Sequence, residues 1–394
     1  MPTQRQLFYT YLGLPSASPL GLEIESAKGI FLYGPDGRDY IDLVSGVSVS
    51  NLGHQHSDVV AAIKEQAGKY LHLTVYGEMI QSPQVLLAEK LAGLLPEPLQ
   101  SVYFVNSGSE AVEGAMKLAK RFTGRSEVIA FKNAYHGGTH GALSIAGDEL
   151  LKNSFRPLLP DTRLLHFNNF DDLQAITERT ACVVAETIQA EAGVILPAVG
   201  FLPALRKRCD ETGALLVIDD IQMGMGRTGR MFSFEHYGMA PDILCLAKAF
   251  GGGMPLGAFI AAREVMQCLT RDPELGHITT FGGHPVCCAA ALASLRILAD
   301  TNLICETERK AAIFLERLTG HPAIRAIRHK GMMMAVDLAA PGAWPRLIPA
   351  FLRNGLVSDT FLFRPNSFRI APPLTITEAE IHLACDRIIR GLAV

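Results

Sequence analysis

The sequence predicts an α/β protein: a mostly parallel central sheet with helices on both faces, followed by a smaller α+β domain. Three observations carry this reading. Short apolar runs alternate with helix-like segments through the middle of the chain, the pattern of βαβ units. Several of those runs end at polar or Gly-rich turns, where open α/β sheets bind ligands. The pattern changes at Pro285, after which helical segments dominate.

The elements follow in order. Residues 29–38, Gly-Ile-Phe-Leu-Tyr-Gly-Pro-Asp-Gly-Arg, read as a hairpin around Gly34-Pro35-Asp36-Gly37. Strands are expected at 102–105, 127–131, 181–185, 214–218, 242–246 and 256–261, each a short run rich in β-branched, aromatic or other apolar residues. Helices are expected between them, for example at 109–122 and 201–212. An Ala-rich helix at 285–299 opens the last part, with helical segments near 302–319 and 345–354. Short strands near 331–337 and 367–370 and a final helix near 377–391 follow. The implied division is an N-terminal segment, 1–45, joining the small domain; a large domain, 46–284; and a C-terminal small domain, 285–394. The length prior allows two domains.

Composition excludes several functions. Lys and Arg total 36 against 39 Asp and Glu, a net charge of −3, with no basic run to hold nucleic acid. No apolar stretch approaches the ~20 residues of a membrane span. The start, Met1-Pro2-Thr3-Gln4-Arg5-Gln6, lacks the build of a signal peptide. The eight cysteines contain no CxxC and read as buried, reduced thiols. A cytoplasmic enzyme is the expectation.

Three strand ends carry chemistry. Lys248 stands between the apolar run 243–246 and Gly251-Gly252-Gly253, where partial desolvation lowers an amine pKa and makes it nucleophilic toward a carbonyl. Asp219 ends the run 214–218. It reads as a helix N-cap or, beside such a lysine, as the carboxylate that keeps a pyridine nitrogen protonated, with Gln222 in reach of a ring hydroxyl. Asn106-Ser107-Gly108-Ser109-Glu110 fits a capping box at a helix start. It is a simple cap or an anion site, with the Ser107 and Ser109 hydroxyls adding to free amides. A Schiff-base lysine, a carboxylate and a phosphate turn are the anchors that pyridoxal phosphate needs. Tyr135, in Tyr135-His136-Gly137-Gly138, is a core tyrosine or a stacking partner for the cofactor ring. His54 and His56 form an HxH without the further ligands of a metal site, so no metal is expected. Gly224-Met225-Gly226-Arg227-Thr228-Gly229 spells GxGxxG, but it follows no strand directly and opens no small-residue helix. A dehydrogenase reading therefore stays distant.

These motifs resemble, in order, those of the class III aminotransferases, the fold-type-I pyridoxal-phosphate group that includes ornithine, acetylornithine and 4-aminobutyrate aminotransferases. The likeness runs from about Gly29 to the last helix. It covers Asn106 to Ala111, Tyr135-His136-Gly137, Glu186-Thr187-Ile188-Gln189-Ala190-Glu191, Asp219 to Gly229, Lys248, Thr280-Phe281-Gly282-Gly283-His284-Pro285 and Arg369-Ile370-Ala371-Pro372-Pro373-Leu374. The resemblance implies catalysis by Lys248 and Asp219. It implies a cofactor held by Ser107, Gly108, Ser109, Tyr135, His136, Glu186, Gln222 and Thr280. It also implies a homodimer in which Thr280 reaches the neighbouring subunit's phosphate. A Glu191–Arg369 switch would admit the carboxylate of glutamate or 2-oxoglutarate. Gly138 stands where ornithine-type members carry an arginine for the donor's distal carboxylate, so an ω-amino acid or amine donor is expected. Whether Glu78 or Arg364 contacts substrate stays open. The runner-up is an aminomutase of the glutamate-1-semialdehyde type, against which Arg369 argues.

Overall fold

The computed structural model describes residues 2–393. The chain begins with a helix, Gln4–Tyr11, and two hairpins formed by β1 (Ser26–Lys28), β2 (Phe31–Tyr33) and β3 (Asp39–Asp42). The central sheet is built from β4 (Ser101–Val105), β5 (Glu127–Phe131), β6 (Thr162–Leu165), β7 (Thr180–Ala185), β8 (Leu215–Asp219), β9 (Ile243–Leu246) and β10 (Gly257–Ala261). Its spatial order is β4-β10-β9-β8-β7-β5-β6. Strand β10 runs antiparallel to both neighbours, and the other pairs are parallel.

Every residue of β5, β7, β9 and β10 is buried, which is why these strands read as unbroken apolar runs. The two faces sort with period two. Ile129, Phe131, Val183, Leu216 and Leu244 share one core with Phe201, Leu202 and Leu205 of the helix Phe201–Thr212. Val128, Ala130, Cys182, Val184, Val217 and Cys245 share another with Ala111, Val112 and Ala115 of the helix Gly108–Thr123. Truncating one such residue, Leu216→Ala for instance, costs about 2–5 kcal/mol.

The C-terminal part holds β11 (Ile324–Lys330), β12 (Met333–Leu338), β13 (Leu356–Val357), β14 (Thr360–Phe361) and β15 (Arg364–Ile370). Strands β11-β12-β15-β14 form an antiparallel sheet, against which the helices Thr307–Leu318 and Trp344–Arg353 pack. Strand β13 instead pairs in parallel with β3, Leu356 opposite Ile41, so the two ends of the chain share a sheet. The helix Pro285–Asp300 packs on Ser57–Lys69 and Ser82–Ala92.

Several strands depart from the sequence expectation, β6 and β11 among them. β6 (Thr-Arg-Leu-Leu) lies at a sheet edge, and so does β11 (Ile-Arg-Ala-Ile-Arg-His-Lys). Edge strands carry charge and lack a two-sided apolar run, so neither pattern stands out.

Candidate active site

A cavity of about 380 Å³ opens at the carboxyl ends of the parallel strands. Ser107, Gly108 and Ser109 enter from the start of the helix after β4, Tyr135 and His136 from the loop after β5, and Glu186 and Glu191 from the segment after β7. Asp219 is the last residue of β8, with Gln222 in the turn that follows. Lys248 lies two residues beyond β9, in the tight turn Lys248–Gly251. Its backbone is left-handed, φ +52°, an uncommon conformation for a residue with a side chain and one that clusters at functional sites.

The turn that opens the helix after β4 has free donors for an anion. Gly108 and Ser109 occupy the first helical positions, whose amides have no carbonyl one turn back. Ser107 Oγ accepts from the Glu110 amide at 3.2 Å, and Ser109 Oγ accepts from the Gly138 amide at 3.2 Å. Both hydroxyl protons stay free to donate to an anion. Gly137 is required here: its φ is +133°, and a Cβ would run into Ser109. The expected reciprocal capping box is only half made. The Glu110 carboxylate passes Ser107 and accepts from the amide of Asn106 at 2.6 Å and from its Nδ2 at 3.3 Å. Helical side chains point toward the N-terminus, and Asn106 offers two donors there.

Asp219 is fixed on both oxygens. Oδ1 accepts from the Ile221 amide at 3.1 Å, and Oδ2 pairs with His136 Nδ1 at 2.8 Å. Burial opposes charging of His136, but the bond to Asp219 and the nearby Asp219 and Glu186 carboxylates raise its pKa overall. Its Nε2 is buried without a partner. Glu186 accepts from the amides of Ala190 at 3.1 Å and Tyr135 at 3.4 Å, and burial pushes its pKa up to about 8. Burial also lowers the pKa of Lys248, opposed by Glu191 and reinforced by Arg369. A larger fraction of its amine is therefore neutral and nucleophilic.

Glu191 Oε1 accepts from Arg369 at 3.0 Å and from Gln222 Nε2 at 3.2 Å, while its Oε2 accepts from the Leu362 amide at 3.0 Å. Arg369 lies behind Glu191 and is almost fully buried. Its Nε donates to Asp359 Oδ1 at 2.8 Å, and its guanidinium sits 4.5 Å from the centre of the Phe361 ring. Burial opposes the charge on Glu191, yet Arg369 holds its pKa below the usual carboxylate value. Burial raises that of Asp359, against the same arginine. Asp359 was not singled out in the sequence; an isolated aspartate in a short strand connection gives no signal until its neighbour across the sheet is known.

Other expected residues lie elsewhere. Thr280 is exposed and does not line the cavity. Glu78 lines a separate groove of about 630 Å³ with Tyr103, His277 and Thr279. Arg364 is bound twice to Asp337, at 3.0 and 2.8 Å, and does not face the cavity. His54 pairs with Asp42 at 3.0 Å, and no group of three metal-ligating side chains occurs among the described residues. Residues 224–229 form consecutive turns followed only by a five-residue 3-10 segment, Ser233–Tyr237, and not by the α-helix that a dinucleotide fingerprint opens. No helix among the described residues is long and apolar enough to cross a membrane.

The sheet order, the helix-opening turn with free amides and the buried lysine beside a fixed carboxylate together match a pyridoxal-phosphate enzyme of fold type I. Residues 14–392 match the family model described as Aminotransferase class-III, and the chain belongs to that family of pyridoxal-phosphate-dependent transaminases. It is similar in structure to the ornithine aminotransferase of Toxoplasma gondii ME49, with 30% identity over 100% of this chain and 96% of that one and a TM-score of 0.91. It is also similar to an (S)-enantioselective omega-transaminase from Thermomicrobium roseum, at 26% identity, 98% and 97% coverage and a TM-score of 0.89. An amine transaminase from an uncultivated Pseudomonas species gives 28%, 98% and 98%, and 0.88.

Proposed function

We propose that this transaminase takes an amino group from an amine or ω-amino acid without an α-carboxylate clamp and delivers it to 2-oxoglutarate. The carrying observation is the charge of the cavity wall. Lys248 is its one lysine and no arginine lines it among the described residues, while Arg369 stands behind Glu191. A carboxylate reaches that arginine only by displacing Glu191, and a distal carboxylate on the donor meets no guanidinium on the wall. Two of the similar structures, an omega-transaminase and an amine transaminase, favour the same donor class.

The residues divide the work. Ser107, Gly108 and Ser109 would hold the phosphate, Tyr135 would cover the ring, Gln222 would serve the ring hydroxyl, and Asp219 would hold the ring nitrogen in its protonated form. His136 and the Ile221 amide keep Asp219 aimed. Bound pyridoxal phosphate supplies the carbonyl that takes up the amino group and the electron-withdrawing ring that acidifies the donor carbon. Lys248 Nζ would anchor the cofactor and would carry the proton from the donor carbon.

A homodimer is part of this reading. Thr280 is exposed and outside its own cavity, in a stretch of chain whose Leu275, Ile278 and Phe281 are also exposed, large apolar side chains of the kind an interface covers. The eight free cysteines suit a reducing compartment such as the cytoplasm. The test is a half-reaction screen in which amines, ω-amino acids and α-amino acids are added singly and the absorbance of the bound cofactor is followed. 2-Oxoglutarate is then added to reset it. Conversion by α-amino acids alone, or no reset by 2-oxoglutarate, would overturn the reading.

A further inference from the structure

Arg369 has three nitrogens with three different fates. NH2 donates to Glu191, Nε donates to Asp359, and NH1 is buried without a partner. The two carboxylates that hold it are mounted differently. Glu191 lines the cavity, on the segment after β7. Asp359 does not line it and is tied to the arginine's own sheet. The Arg369 amide donates to the Asp359 carbonyl at 2.9 Å, Ser358 Oγ donates to the Arg369 carbonyl at 2.7 Å, and Thr360 stands opposite Phe368. These bonds hold the Asp359 backbone beside Arg369. The Phe361 ring, in the same short strand, lies against the guanidinium.

We propose that Asp359 is a positioning residue for oxo-acid recognition: it anchors Arg369 through Nε, so that the guanidinium stays in place and presents its NH1–NH2 edge to a substrate carboxylate when Glu191 gives way. Arg369 is then the fixed part of the switch and Glu191 the moving part. NH1 is already without a partner and NH2 is freed by the glutamate, which leaves a two-pronged donor edge matched to a carboxylate. A donor without a carboxylate is accommodated with Arg369 unmoved and still paired to Glu191. The charge of Asp359 is not what the proposal needs; its Nε-facing oxygen is.

The proposal rests on the reading that the acceptor's carboxylate binds Arg369. The experiment measures calorimetric binding of glutarate, a dicarboxylate with no oxo group to react, to holoenzyme in the wild type, Asp359→Ala and Asp359→Asn. KM for 2-oxoglutarate and the rate of the amine-donor half-reaction are measured alongside. Asp359→Ala should weaken glutarate binding about tenfold or more, as loss of an oriented charge-assisted pair does, and raise the 2-oxoglutarate KM in parallel. Its donor half-reaction should be unchanged. Asp359→Asn keeps an acceptor oxygen for Nε and should restore binding to at least the wild-type level. Equal binding by the Ala and Asn variants, or a matching loss in the donor half-reaction, overturns the proposal alone. A wild-type protein that binds no glutarate and makes no use of 2-oxoglutarate overturns the acceptor reading and the proposal with it.

Discussion

Gly138→Arg should give this enzyme a grip on donors that carry a distal carboxylate. The position is open: a Cβ built on Gly138 meets no heavy atom within 4 Å, and its φ is outside the left-handed region, unlike that of its neighbour Gly137. Its amide bond to Ser109 Oγ does not involve the side chain. A glycine replaced at such a site costs the fold little, and the loss of unfolded-state freedom is worth about 0.4–1 kcal/mol in its favour. The gain in substrate binding is a charge-assisted, often bidentate pair, about 1.5–3 kcal/mol, or about ten- to a hundredfold in kcat/KM. One neighbour competes. Glu113 Oε1 is occupied by Thr139 Oγ1 at 2.6 Å and by the amides of Gly141 and Ala142 at 2.9 and 3.1 Å, which leaves Oε2 to attract the new guanidinium. That places the expected gain nearer ten than a hundred. The assay compares kcat/KM for acetylornithine and for a simple diamine in the wild type, Gly138→Arg and Gly138→Met. The arginine variant should raise the acetylornithine value about tenfold and leave the diamine unchanged, and the methionine variant should do neither. A wild-type enzyme that already prefers acetylornithine, or an arginine variant that raises both donors alike, would refute the reasoning.

Four further outcomes are expected. Lys248→Ala should abolish turnover, and borohydride reduction of the wild type followed by peptide mapping should place the cofactor on Lys248; a label on another lysine would contradict the assignment. Asp219→Asn should still load cofactor but turn over at least about 10²-fold more slowly, since an amide does not hold the ring proton; a near-normal rate would remove Asp219 from its role. Cofactor uptake by the apoprotein needs the neutral amine of Lys248. Burial lowers that pKa, so the rate should rise with pH and level off below the ordinary lysine value of 10.5; a plateau reached only above that value would count against desolvation. Thr280→Ala should shed cofactor faster on dialysis, and a monomer that keeps stoichiometric cofactor on dilution would show that Thr280 does not act across subunits.

The central strands were legible because burial on both faces leaves a continuous apolar run, as in Glu-Val-Ile-Ala-Phe at β5 and Thr-Ala-Cys-Val-Val-Ala at β7. The residues of the cavity were legible for a related reason: Asp219 and Lys248 each interrupt or follow such a run with a charge that has no place in a core. Pairings were not. His136 and Asp219 lie 83 positions apart, and Glu191 and Arg369 lie 178 apart. Only the sheet order brings the first two together, and the resemblance to known motifs suggested the second. Asp359 is close to Arg369 in sequence, yet nothing local distinguishes it from a solvated loop aspartate; the antiparallel β14–β15 register is what turns it toward the guanidinium. The helices Ser57–Lys69 and Ser82–Ala92 went unmarked because neither begins with a side-chain cap and each buries few residues.

The stretch 224–229 separates the spacing of glycines from what they are for. Arg227, wholly buried at its centre, has an NH1 that donates to the carbonyls of Pro372 at 2.6 Å and Met332 at 3.1 Å, and an NH2 that donates to Asn51 Oδ1. Asn51 Nδ2 returns a bond to the Met225 carbonyl at 2.8 Å, and the Met332 amide donates to the Arg227 carbonyl at 3.0 Å. One side chain thus ties the turn after β8 to Asn51, ahead of the helix Ser57–Lys69, and to the ends of the sheet that carries Arg369. Gly226, at φ +87°, lets that turn close against Ile304 and Leu374. Burial lowers the arginine's pKa to about 9, a cost offset in part by two carbonyls, the Asn51 side chain and the nearby charge of Asp42. Lys248 and Asp219 hang from the central sheet, and Arg369 hangs from the other. A reaction that needs both must fix one sheet against the other, and this buried arginine with its glycine turn does so a few residues from Asp219.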